Sequence, residues 1–294
     1  MGTMAPAVAN RLNESGEYGE ACVVSGGALH TSRSQRTTPH AHYAWKVHVG
    51  LDAPVWLKSS QRSEASEARV IVVPPNVQHA TGAIGWSVAL FLEPGSRATP
   101  WRETGPAYAI GGDQARRLVG LVNEAMTSSR VDVGCFVDQV ARGIFAPTTN
   151  ARSLDARVSS ALAAIRRDVD VDLRPLASAL RLSLDRLTHL VSEQTGMPLR
   201  RHALWQRVLR VLDAGAPPAS LAAAAVEAGF SDHAHMTRSF RRFLGRAPSE
   251  FRVPPRVIEP WSYRAPEQAR GHDLTAFASP AGWDFADRRR RRNF

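Results

Sequence analysis

The sequence predicts two domains, an all-β N-terminal half and an all-α C-terminal half built around two helix-turn-helix units. Three observations predict it. Short β-type runs broken by turn residues fill residues 21–94. From residue 154 onward apolar side chains recur at helical spacing. Within that second half one outline, short helix, turn with a cap residue, long helix and terminal glycine, occurs twice, with Gly196 and Gly245 standing 49 residues apart. A chain of 294 residues is long enough for each half to bury its own core.

Charge separates the same two halves. The formal net charge is +10. Residues 1–150 hold 13 Lys/Arg against 12 Asp/Glu, whereas residues 151–294 hold 24 against 15. Every basic residue of the second half is arginine, whose rigid fork suits phosphate and guanine, so a polyanion is the natural partner. Cys22 and Cys135 are too few for a disulfide framework or a cysteine zinc site, which points to a reducing cytoplasm. No apolar run approaches ~18 residues and residues 1–10 lack the pattern of a signal peptide, so neither membrane nor export is expected.

Taken in order, residues 1–20 are small and polar and read as a loose arm. The β-type runs are ACVV, residues 45–51, VWL, RVIVVPP and GWSVALFLEPG, with Pro74-Pro75-Asn76 and Glu93-Pro94-Gly95 as turns. Several short strands at this spacing suggest a sandwich or small barrel. In HAHYAWKVHVGL a strand would place His40, His42, Lys46 and His48 on one face and Tyr43, Trp45, Val47, Val49 and Leu51 on the other. If the histidine face points inward, the apolar face needs a cover. Residues 113–126 and 136–144 have the helical periodicity to supply it, or to pair with a second copy of the chain. Residues 147–152 read as the linker.

A His-X-His run followed by a distant histidine, His79, after a proline-rich turn resembles the two metal motifs of the cupin barrel. The carboxylate of that pattern is missing, and Lys46 would repel a divalent cation. His40, His42 and His79 could still supply three nitrogens to zinc. Against that stands a second reading, that they are hydrogen-bonding, effector-contacting or structural histidines. No cofactor is expected beyond that conditional metal.

In the helical half, residues 154–167 place Leu154, Val158, Leu162 and Ile165 on one face. Residues 173–180 form a short helix, Arg181-Leu182-Ser183 a turn, and residues 184–195 a second helix ending at Gly196. Pro198 opens a linking helix closed by Gly215, about 25 Å long. The outline then recurs: residues 221–228, the turn Gly229-Phe230-Ser231, and residues 233–244 ending at Gly245. In this last helix Met236, Phe240, Phe243 and Leu244 form an apolar stripe, opposite Ala234, His235, Arg238, Arg241 and Arg242.

The segment from residue 154 to 252 resembles the DNA-binding domain of AraC-type transcriptional regulators. GFSD, the Arg238-Ser239-Phe240 core, Phe243, Gly245, Ala247-Pro248 and Phe251-Arg252 fall in order and spacing on the family signature. The first copy matches through Leu176-Ala177, Leu182-Ser183, Leu187, Gly196 and Pro198, while Met236 and Ala224 depart from it. The resemblance implies an arm at 1–20, a cupin-like effector or dimerisation domain at 21–146, a linker at 147–152, a DNA-binding domain at 153–254 and a basic tail at 255–294. It implies two recognition helices near one DNA turn apart, about 34 Å, entering adjacent major-groove segments. The implied base readers are Asp185, Arg186, Thr188 and His189 in the first unit and Ala234, His235, Thr237 and Arg238 in the second. Arg241, Arg242 and Arg246 fall to phosphates, and Asp185 has the further option of capping its own helix. Promoter DNA is the implied partner, with RNA polymerase, a small-molecule effector and a second copy of the chain open as others. The competing function is a metal-dependent cupin enzyme with a helical appendage. The residues favour the regulator, not an enzyme.

Overall fold

A computed structural model describes residues 19–24, 27–33, 35–59, 65–95, 99–100, 105–127, 132–145, 154–214 and 221–252. The expected arm, linker, Gly215 and basic tail lie outside the described residues, apart from Gly19 and Glu20, which open the first strand. No described helix is long and apolar enough to cross a membrane.

The strands are β1 (Gly19–Val24), β2 (Gly27–Arg33), β3 (Trp45–Gly50), β4 (Val55–Ser59), β5 (Ser66–Ala68), β6 (Val70–Val73), β7 (His79–Ala83), β8 (Trp86–Leu92), β9 (Tyr108–Ile110) and β10 (Phe251–Arg252). They form one sheet in the order β10-β1-β2-β8-β3-β6-β9 and a second in the order β5-β4-β7. Neighbours are antiparallel except β1 and β10, where Gly19 lies beside Phe251 in parallel register.

Strand β3 explains the layering. Both of its faces are buried, so the pleat separates two environments and not core from solvent. Trp45, Val47 and Val49 meet Val70, Val72, Val88 and Leu90 under α1 (Gly112–Thr127) and α2 (Val133–Ile144), which contribute Leu118, Val122, Phe136, Val137 and Val140. The Trp45 and Phe145 rings stand 4.7 Å apart, edge to face. The cover that the periodicity demanded is therefore supplied by the two helices that follow the strands. On the other face Lys46 and His48 point between the sheets, beside an apolar cluster of Val55, Leu57, Ile71, Val73 and Val77.

Five strands escaped the sequence reading. β2 (GALHTSR) and β7 (HATGA) are too rich in small and polar residues to show β alternation, and β5, β9 and β10 are too short. A further correction concerns His40 and His42. They do not stand on β3, which starts at Trp45, but on the irregular approach to it; His40 makes an isolated bridge to His79.

The helical region comprises α3 (Ala156–Arg167), α4 (Leu173–Ala179), α5 (Leu184–Thr195), α6 (Leu199–Asp213), α7 (Leu221–Glu227) and α8 (His233–Leu244), then a 3-10 turn at Pro248–Glu250 leading into β10. The first unit has its own core of Val158, Leu162, Ile165, Leu187, Val191 and Leu199. The core of the second is shared with the sheet: Trp205, Met236, Phe240 and Phe243 pack with Ala28, Tyr43, Ala89 and Phe91. Met236 and Ala224, the two departures from the family pattern, are both buried there. A polar joint sits beside this shared core, where buried Glu93, just after β8, accepts from Arg166 of α3 at 2.9 Å and from Gln206 of α6 at 2.7 Å. Glu93→Gln should break the charge pair and lower stability in urea denaturation by about 1–2 kcal/mol, because Arg166 keeps access to water. An unchanged midpoint would show that the joint contributes nothing.

Candidate nucleic-acid interface

The two helix-turn-helix units are built on the same marks. Ser183 caps α5, its side chain accepting from the Arg186 N–H, and Asp232 caps α8, accepting from the His235 N–H at 2.6 Å. Gly196 and Gly245 close the helices in left-handed conformation, with φ of 73° and 69°. The turns also correspond, since each second residue after the short helix is left-handed: Arg181 at φ 56° and Gly229 at φ 86°. Caps and glycines stand at one offset, so Asp185, Arg186, Thr188 and His189 occupy the same helical positions as Ala234, His235, Thr237 and Arg238. Asp185 is thereby relieved of the capping role, which belongs to Ser183.

Asp185, Arg186, His189, Ala234, Arg238, Arg241 and Arg242 are exposed, and Thr188, His235 and Thr237 are half-buried. The two faces differ in charge. At the far end of α5 Glu193 lies 3.9 Å from His189, whereas the corresponding end of α8 carries Arg241 and Arg242 with no carboxylate on that helix. Arg201, in the first turn of α6, adds to this end: Arg242 is close enough to depress its pKa, second to partial burial. Sequence reading missed Arg201 because it sits on the linking helix, and only folding brings it beside α8. Two guanidiniums placed together raise the local potential, an arrangement that suits a phosphate.

Arg246 needs correction. It is buried, not turned to a phosphate, with its guanidinium over the Phe251 ring at 5.4 Å and donating to the Glu250 carbonyl at 3.2 Å. Gly245 turns the chain back toward the sheets, so the next side chain enters the interior.

The histidines converge as well. His40, His42 and His79 are buried, their ligand atoms all within 4.8 Å of one another, the one such group among the described residues. Each Nδ1 lies against a backbone carbonyl, of Thr38 at 2.8 Å, Ala44 at 2.6 Å and Val77 at 2.9 Å. Burial, and then the charge of neighbours including Lys46, holds all three well below the usual histidine range, His40 at about 3. Lys46 Nζ donates to Thr81 Oγ1 at 2.6 Å, and burial, then Arg246, pushes its ammonium down to about 7.

Two capped helices presenting matched, largely exposed faces define a DNA-binding transcriptional regulator. Residues 176–253 match the family described as a helix-turn-helix domain and constitute an AraC-type DNA-binding domain. No curated protein matches the chain in sequence. Among solved structures, apo ToxT from Vibrio cholerae strain SCE256, a single-residue variant, is 11% identical, with 76% of this chain and 96% of that chain covered at a TM-score of 0.53. ToxT from Vibrio cholerae O395 is 11% identical, with 77% and 97% covered at a TM-score of 0.51. These likenesses show a common arrangement, a β-rich N-terminal region followed by a helical region with helix-turn-helix units.

Proposed function

We propose that this regulator reads two adjacent major-groove segments on one face of a duplex, α5 entering one and α8 the next, and that the β-rich region conveys a signal to both. The observation that supports it is the common offset of caps, terminal glycines and outward faces in the two units. A linking helix of 15 residues spans about 22 Å, which with the half-widths of the units approaches one DNA turn. Arg186 and Arg238 are the side chains able to fork onto guanine O6 and N7, and Thr188 and Thr237 offer single bonds or contact with a thymine methyl. Arg201, Arg241 and Arg242 serve phosphates. Action by binding DNA is supported by the two helix-turn-helix units and their exposed faces. A signal reaching the N-terminal region has a route to DNA, because the second unit shares its core with the sheet.

Selection of duplexes from a random-sequence pool, followed by footprinting, tests this. A bipartite footprint with half-sites about 10 base pairs apart is expected. Arg238→Ala should relax preference at one position of one half-site, at a cost of about 1–3 kcal/mol. Weakening that is equal for all sequences would make Arg238 a phosphate contact.

A further inference from the structure

A neutral imidazole has one donor and one acceptor nitrogen. In His40, His42 and His79 the donor is committed, Nδ1–H to a carbonyl in each case, and Nε2 is left as a buried acceptor with no hydrogen-bond partner among the described residues. The three residues bring their ligand atoms within 4.8 Å of one another, and none of these rings can satisfy another while each keeps its carbonyl bond. Unmet buried acceptors are costly, and one cation would satisfy all three.

The cluster also has a particular place in the fold. Residues 37–42 hold the end of α8: Thr38 donates through its N–H at 3.0 Å and its hydroxyl at 2.9 Å to the Gly245 carbonyl, and the Ala41 N–H donates to the Arg242 carbonyl at 3.2 Å. Residues 76–79 hold the end of α5, where the Asn76 side chain donates to the Gly196 carbonyl at 3.3 Å. His40 and His42 stand on the first loop and His79 opens β7 at the end of the second, and the His40 and His79 backbones already exchange bonds at 2.9 Å. We infer that His40, His42 and His79 bind one divalent metal ion of the zinc class, and that this ion ties together the two loops seating both recognition helices.

An all-imidazole set selects zinc, copper or nickel over magnesium or calcium. The carbonyls behind each Nδ1 fix tautomer and ring orientation as supporting partners of a metal-bound histidine do. Zinc–nitrogen bonds of about 2.0–2.1 Å in a tetrahedron put the nitrogens about 3.3 Å apart, so the widest pair must close by roughly 1–1.5 Å. That closure draws residues 37–42 and 76–79 toward each other, and with them the ends of α5 and α8. Lys46 does not forbid the ion, because its burial already favours release of the ammonium proton and a nearby dication favours it further.

The second part of the inference rests on the regulator reading above. The test uses the full chain, equilibrated with zinc sulfate and dialysed, with zinc counted per chain and cobalt(II) substituted in parallel. One zinc per chain and the intense visible bands of tetrahedral cobalt are expected. His42→Gln and His79→Gln should each lower zinc affinity by at least about a hundredfold while retaining the far-ultraviolet circular dichroism of the parent. No zinc in the parent, weak octahedral cobalt bands, or a folded variant that holds zinc as the parent does would each overturn the site. Where one variant does not fold, the other and the cobalt spectrum decide. Removing zinc with a chelator should then change affinity for a selected duplex at least about tenfold in the parent. Equal affinity with and without zinc overturns the link to the helices. No DNA binding in either state overturns the regulator reading instead, and leaves the zinc count to stand on its own.

Discussion

Taking the metal-free chain from pH 7 to pH 5 should unfold it cooperatively. The cause is histidine burial. His30 and His202, like His40, are pushed down to about 3, first by desolvation, and then by Arg246 and Lys46 for His30, by Lys46 against the opposing Thr38 carbonyl for His40, and by Arg166 for His202. Their folded values lie below the unfolded value of about 6.5, so between those limits the unfolded chain binds more protons. The stability is complete above pH 6.5 and is lost as pH falls toward 3. At pH 5 each of the three is about 1.5 units inside the window, worth about 2 kcal/mol, and together they approach the usual total stability of a domain, about 5–15 kcal/mol. His42, His48 and His79 shift in the same direction. Lys46 extends the trend upward: from about 7 to 10.5 the unfolded chain again binds the extra proton, so stability should continue to rise above pH 7. Tryptophan fluorescence, reporting on buried Trp45 and Trp205, followed against pH in the presence of a chelator, reads the transition. A midpoint below pH 4 would mean that these histidines are hydrated.

What the sequence disclosed and what it concealed follow a physical line. The caps and terminal glycines of the recognition helices are local chemistry, decided within a turn of the helix, and Ser183, Gly196, Asp232 and Gly245 were legible at once. The outer helices were legible for another reason: a strand with Trp45, Val47 and Val49 on one face and Lys46 and His48 on the other must bury both, so a cover had to exist. Long-range events left no trace in local patterns. The pairing of β10 with β1 joins the two ends of the described chain. Arg246 looks like one more basic residue after a basic helix, and only the turn at Gly245 carries it inside. His40 and His42 kept the alternating spacing of a strand, yet hydrogen bonds to α8 hold this stretch as a loop. The convergence with His79 was legible as a set of residues, whereas the free Nε2 atoms depend on three carbonyls that no spacing reveals.

Gly245→Ala should be far more damaging than Gly196→Ala, although both glycines end equivalent helices in nearly the same conformation. Each substitution places a side chain at positive φ, at a cost of roughly 1–2 kcal/mol. At Gly196 that is the whole cost, since the nearest atom to the new Cβ is Asn76 Nδ2 at 3.8 Å. At Gly245 the Cβ would lie 2.5 Å from His40 Nδ1, 2.7 Å from the Thr38 carbonyl oxygen and 2.8 Å from Thr37 Cβ. The carbonyl is backbone and cannot swing aside. Residues 37–42 must therefore lift off the end of α8, giving up the bonds of Thr38 to Gly245 and of Ala41 to Arg242. With each bond worth about 1 kcal/mol net, the loss becomes about 4 kcal/mol or more. Urea denaturation of the two variants measures the difference, and equal losses would show that the loop does not seat on the helix. The double variant Gly245→Ala with His40→Ala separates the two obstacles. Removing the imidazole relieves the contact at Nδ1 but not the one at the Thr38 carbonyl, so it should recover only part of the stability. Full recovery would place the obstruction in the His40 side chain and make the backbone strap between the β-rich region and α8 more compliant than its hydrogen bonds imply.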